Sequence, residues 1–128
     1  MVQKEVAERY MAKCKSREYG SISVFLQYNF DIEIVCNVNR NCFNPMPNVD
    51  STVIKFKNRN KEFVKDEKKF YDFIKNAFLL KRKTLKNNLN NYDFRIVEEY
   101  LLNNNISVSC RAEELSVIDF VNIFNLLN

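Results

Sequence analysis

Histidine and tryptophan are both absent from this sequence, glycine occurs once and proline twice. Without histidine the commonest general base is missing, and with it any Ser-His or Cys-His nucleophile pair. Zinc sites draw on closely spaced Cys and His ligands. Here Cys14, Cys36, Cys42 and Cys110 are irregularly spaced, with no C-x-x-C pair, so no metal site is expected. No apolar run approaches the roughly 18 residues needed to span a bilayer. The N-terminus, Met1-Val2-Gln3-Lys4-Glu5, is charged and lacks the apolar core of a signal peptide. These absences point to a cytoplasmic chain with reduced thiols and no membrane partner.

What is present suits a small globular protein. The 128 residues correspond to one domain, or part of one with an appendage, and the 46% apolar share is enough for a core. The formal charge of +4 conceals an asymmetry. Lys55 to Lys86 holds twelve Lys/Arg against four acids, whereas the remainder holds eight against twelve. A basic middle in an otherwise acidic chain suggests a localised polyanion partner. It is equally consistent with a solvated linker and a lysine-rich helix face.

Periodicity divides the chain into two parts. Val2, Val6 and Tyr10 predict a helix over residues 1–13, and Glu5 precedes Arg9 by four in the favourable order. Gly20 closes a polar loop, and Ile22 to Tyr28 is an apolar run that fits helix or strand. Residues 31–38 and 51–57 alternate as strands and predict an antiparallel hairpin with a long connection. A polar stretch from Asn58 to Lys69 places a boundary at 57/58. Beyond it, Phe70, Phe73, Ile74, Ala77, Phe78, Leu85 and Leu89 predict one long amphipathic helix. A second helix follows over 92–102. A third begins at Ser116, where Asp119 completes an S-x-x-D capping box. The fold class is thus α/β plus α: a hairpin with flanking helices over 1–57, then a small all-helical domain over 58–128. Two strands and two helices close a core with difficulty, so the N-terminal part is expected to be incomplete.

Both prolines fall in Cys42-Phe43-Asn44-Pro45-Met46-Pro47-Asn48-Val49-Asp50-Ser51, between the two strands. Each fixes its own φ and biases the residue before it towards extended backbone. Phe43 is therefore either a core plug at a structural turn or a rigid aromatic face offered to a ligand.

Four stretches in order carry a resemblance. These are Met1 to Arg9 (MVQKEVAER), Phe43 to Ser51 (FNPMPNVDS), Lys81 to Leu89 (KRKTLKNNL) and Arg111 to Ser116 (RAEELS). Together they resemble the C-terminal portion of the ribosomal RNA adenine N6-dimethyltransferases, in the small-subunit, KsgA-type branch. The resemblance implies transfer of methyl groups from S-adenosylmethionine to N6 of two adjacent adenosines near the 3′ end of small-subunit rRNA. It makes Phe43, in the F-x-P-x-P motif, one wall of the target-adenine pocket, with Pro45 and Pro47 shaping that pocket. It makes Lys81, Arg82, Lys83 and Lys86 the contacts to RNA. The implied partner is the small-subunit rRNA within the 30S subunit. The implied fold of residues 1–57 is the C-terminal edge of a Rossmann-like methyltransferase sheet.

The departures are as informative. The family's glycine-rich donor-binding turn, its ribose-binding acid and its N-L-P-Y motif have no counterpart here, and Asn48 stands where the family usually has lysine. The chain reads as part of an enzyme, expected to bind no S-adenosylmethionine and to be inactive alone. The alternative is a non-catalytic RNA-binding or ribosome-assembly module.

Overall fold

A computed structural model describes residues 1–128. In chain order the elements are strand β1 (Val2–Gln3), helices α1 (Lys4–Tyr10) and α2 (Ser21–Asn29), and strands β2 (Phe30–Val38) and β3 (Ser51–Asn58). Helices α3 (Glu67–Ala77), α4 (Leu85–Asn88), α5 (Phe94–Asn103) and α6 (Val117–Leu127) follow. Short 3₁₀ turns lie at Arg40–Cys42 and Ala112–Glu114.

The three strands form one antiparallel sheet in the order β1-β3-β2. The predicted hairpin is present, with a bulge between Ile34 and Cys36. The predicted helix at the N-terminus is shorter than its periodicity suggests. Val2 and Gln3 pair with Thr52 and Ser51 as a third strand before α1 begins. A pairing set by a partner some fifty residues away leaves no mark on local periodicity.

Alternation along β2 and β3 gives the sheet two unlike faces. Ile32 and Ile34 lie opposite Phe56 and Ile54 on one face, where Tyr10 of α1 and Phe30 pack near Phe56. On the other, Asp31 and Glu33 face Lys57 and Lys55 as opposite-charge cross-strand pairs. The apolar face is only partly covered: Ile34 is 54% and Phe56 42% exposed.

The apolar run from Ile22 to Tyr28 resolves as helix. Gly20 donates its N–H to Ser23 Oγ (3.1 Å), which in turn donates to the Arg9 carbonyl (2.6 Å), tying α2 to α1. Val24 and Tyr28 are buried not under the sheet but in a twenty-residue cluster with residues of α3 to α6. The helices of the N-terminal part therefore complete the helical core. Rings dominate this core: Phe73 packs against Tyr92, Phe120 and Phe124 with centroids at 5.4, 6.3 and 5.8 Å. Tyr28 meets Phe70 edge-on at 4.9 Å and donates its hydroxyl to the Glu62 carbonyl at 2.7 Å.

The long helix predicted from Phe70 to Leu89 is two helices with a loop between them. α3 starts on Asp66, whose side chain accepts from the Lys69 N–H, and ends after Ala77. α4 starts on Thr84, which caps Asn87. Asn88 holds the intervening loop, donating to the Ala77 and Leu80 carbonyls and accepting from the Leu80 N–H. The capping box at Ser116 and Asp119 forms as the sequence indicates. Asp119 also accepts from the Tyr100 hydroxyl at 2.8 Å and so joins α5 to α6.

All four cysteines are free thiols, and Cys110 is buried. Burial, with the nearby Glu114 charge and then Asp119 adding to it, pushes the Cys110 thiol up to about 11 from 9.0. Burial likewise pushes the Tyr28 hydroxyl up to about 12 from 10.0. The fold favours the neutral form of both, so their contribution is intact below pH 9. It is lost as pH rises from 9 to 11 for Cys110, and from 10 to 12 for Tyr28. Urea midpoints are accordingly expected to fall above pH 9, and Cys110→Ala is expected to remove the first part of that fall. A midpoint constant between pH 8 and pH 11 would contradict this.

Candidate nucleic-acid interface

The register places the end of β1, the end of β2 and the start of β3 together, since Gln3 and Val38 both lie opposite Ser51. The loop carrying Phe43 rises from this end of the sheet. In open α/β sheets, ligands bind at the carboxyl ends of the strands. The loop is fastened at several points. The Asp50 carboxylate accepts from the Arg40 N–H at 2.8 Å, and the Arg40 guanidinium donates to the Asn48 carbonyl at 3.2 Å. The Asp50 carbonyl accepts from the Lys4 N–H at 3.0 Å, so the loop is also tied to the start of α1. Phe43 follows the 3₁₀ turn in extended backbone, half-buried, and its ring pairs with no other aromatic ring. Pro45 is exposed, Pro47 half-buried, and the Asn44–Pro45 peptide is cis.

The basic segment lies elsewhere. Lys81 and Lys83, on the loop between α3 and α4, line a cleft of about 300 Å³. Three further cations reach the same cleft: Arg9 from the last turn of α1, Arg17 from the loop before α2, and Arg111 from the turn before α6. Glu18 and Glu113 are the only carboxylates in the lining, so five positive charges face two negative ones. None of the five cations is in an ion pair; the four in the chain involve Arg59, Lys61 and Arg95.

Backbone ties hold these segments together. The Lys15 N–H donates to the Glu113 carbonyl, and the Leu85 N–H donates to the Cys110 carbonyl at 2.8 Å. Together with the Ser23 and Asn88 bonds, they tie the segments that carry the cations to one another. Arg82 and Lys86 are exposed on the same segment but outside the cleft lining. Phe43, Pro45 and Pro47 are also outside it.

Tyr19 closes the inner wall of the cleft. It is buried, its hydroxyl has no hydrogen-bond partner, and burial, then Cys14 and Asp119, raise its pKa. At the site as a whole, sequence reading selected the Lys81-Arg82-Lys83 cluster but not Arg9, Arg17 or Arg111. Arg9 and Arg111 do stand within stretches that carried the resemblance, and that was the available signal. No group of three or more His, Cys, Asp and Glu side chains is placed to hold a metal ion. No helix is long and apolar enough to cross a membrane.

Comparison with known proteins finds relatives along the whole chain. The family model for ribosomal RNA adenine dimethylase matches residues 1–128. The ribosomal RNA small subunit methyltransferase A of Sulfurihydrogenibium sp. is 42% identical over 127 residues, covering 99% of this chain and 46% of that protein. The protein of the same name from Bacillus cytotoxicus is 40% identical over 135 residues, again with 99% and 46% coverage. The chain spans about half the length of the curated relatives it matches. The crystal structure of a dimethyladenosine transferase from Plasmodium falciparum superposes with a TM-score of 0.73 at 25% identity, covering 94% of this chain and 53% of that one. The 23S rRNA methyltransferase ErmE, at 21% identity and TM-score 0.66, shares the fold over 98% of this chain and 52% of its own. From one end to the other, this chain belongs to the ribosomal RNA adenine dimethylase family, in its KsgA-type branch.

Proposed function

We propose that this chain supplies the rRNA-docking surface and one wall of the adenine pocket of an rRNA adenine N6,N6-dimethyltransferase. The substrate in this reading is a pair of adjacent adenosines near the 3′ end of small-subunit rRNA. The observation that carries it is the convergence of Arg9, Arg17, Lys81, Lys83 and Arg111 on one cleft, none of them held in an ion pair. Such a cleft holds a phosphate backbone and fixes its position without reading its sequence. Arg82 and Lys86 extend the positive surface beyond it. In this reading residues 1–57 are the C-terminal edge of the methyltransferase sheet and residues 58–128 the helical domain, and both contribute cations to the docking cleft.

An adenine must leave its stack before its N6 can be methylated, and an aromatic face offsets part of that cost. Phe43 offers such a face at the end of the sheet where β1 and β2 finish. Pro45 and Pro47 stiffen the loop, and the Arg40–Asp50 bond closes it. In the complete enzyme, Phe43→Ala is expected to lower kcat/KM for rRNA by roughly 5- to 150-fold, the equivalent of one lost stack of about 1–3 kcal/mol. Binding of the RNA itself is expected to change little. Undiminished methylation would make Phe43 a structural plug.

S-adenosylmethionine is the methyl donor in this reading, but the residues present do not fit it. Donor sites of this class use glycines so that backbone can approach the ligand closely. The one glycine here, Gly20, precedes α2 after a loop rather than a strand, and a Cβ built on it would meet nothing within 4 Å. The donor is therefore held by residues outside this chain. Calorimetry of the 128-residue chain with S-adenosylmethionine is expected to show no heat of binding; micromolar affinity would overturn this point.

A further inference from the structure

A second hollow adjoins the basic cleft. It measures about 260 Å³, lies between α2 and α3, and is lined by Ser21, Ile22, Phe25, Tyr71, Ile74 and Lys75. Ser21 and Ile22 also line the cleft, so the two are continuous across one ridge. Ile22, 37% exposed, forms that ridge. The Phe25 and Tyr71 rings meet edge-to-face at 4.5 Å and make an aromatic wall, while Ile74 is fully buried behind it. Lys75 is exposed at the rim and pairs with no carboxylate.

We infer that this hollow seats one unpaired nucleobase of the RNA whose phosphates run along the basic cleft. The inference rests on the RNA-docking reading above and adds to it a recognition element. An apolar, aromatic-walled recess beside a row of unpaired cations fits a ligand that carries anionic groups and flat rings on one strand. The major groove of A-form RNA is too deep and narrow for side chains to read, so sequence-specific recognition falls largely on unpaired nucleotides that project from the helix. The cleft, acting on phosphates, cannot supply that selection. The hollow can, because an extrahelical base would bring a flat ring against its Phe25–Tyr71 wall.

The test uses the 128-residue chain and three hairpin RNAs: one fully paired, one with a single extrahelical adenosine, and one with an abasic nucleotide at that position. The extrahelical base is expected to tighten binding about tenfold or more, the order of one stacked base. The abasic hairpin is expected to bind like the paired one. Phe25→Leu, which stays apolar and removes the aromatic face, and Ile22→Ser are each expected to reduce the preference to within about twofold. Equal binding of the extrahelical and abasic hairpins would overturn the inference while leaving the cleft intact. A preference that survives both substitutions would place the base elsewhere and overturn it as well. Failure to bind any of the three RNAs at low salt would overturn the docking reading itself.

Discussion

Replacing Arg9, Lys83 and Arg111 together by glutamine is expected to weaken binding of this chain to small-subunit rRNA by about two orders of magnitude at ~0.1 M salt. The salt dependence should flatten at the same time. Each lost phosphate contact removes about 0.7–0.9 from the slope of log affinity against log salt, so the triple change removes about 2–3. The three residues come from α1, the α3–α4 loop and the turn before α6. No single element could be disturbed to give the same result. Because none of them is ion-paired within the chain, their removal leaves no carboxylate stranded and the fold intact. Titration by fluorescence anisotropy at several salt concentrations reads both quantities. An affinity change below threefold with an unchanged slope would mean that the cleft does not touch RNA.

The largest effect on stability is expected at Phe73. Its side chain is wholly buried and touches Tyr92, Phe120 and Phe124, so it joins α3 to the segment before α5 and to α6. Phe73→Ala removes a full aromatic side chain from a ring-packed interior and is expected to cost about 3–5 kcal/mol. Domains of this size have about 5–15 kcal/mol in total, so the variant should lose between about a fifth and the whole of its stability. Urea unfolding followed by circular dichroism measures the loss. Phe43→Ala, half-buried on its loop, is expected to move the same midpoint far less. Equal losses at the two positions would contradict the division between a core ring and a presented ring.

The comparison of these two phenylalanines shows what sequence could and could not indicate. Phe73 was legible because it recurs with Phe70, Ile74 and Ala77 at helical spacing, a purely local pattern. The capping box of α6 and the alternation of β2 and β3 were legible for the same reason. The break between α3 and α4 was not. Phe78, Leu79 and Leu80 continue the apolar pattern, and the chain leaves the helix because the Asn88 side chain captures the Ala77 and Leu80 backbone from the far side of the loop. β1 was hidden because two residues become a strand only beside β3. The joining of α2 to the helical core was hidden too, since a boundary read from composition records where polar residues cluster and not where apolar ones pack.

For the site the same distinction holds. A run such as Lys81-Arg82-Lys83 announces itself, whereas Arg9, Arg17 and Arg111 meet it through tertiary bonds such as those of Lys15 to Glu113, Leu85 to Cys110 and Ser23 to Arg9. The structure also separates members of the run itself, since Lys81 and Lys83 line the cleft and Arg82 does not.

The most direct test of the docking reading is a lysine footprint. Acetylation of the 128-residue chain, with and without a small-subunit rRNA 3′-domain transcript at low salt, would be quantified at each lysine by mass spectrometry. Lys81 and Lys83, in the cleft, are predicted to be strongly protected by the RNA. Lys55 and Lys57, which face Glu33 and Asp31 on the sheet, are predicted to react equally in both samples. Protection of Lys55 and Lys57 with Lys81 and Lys83 left reactive would contradict the account.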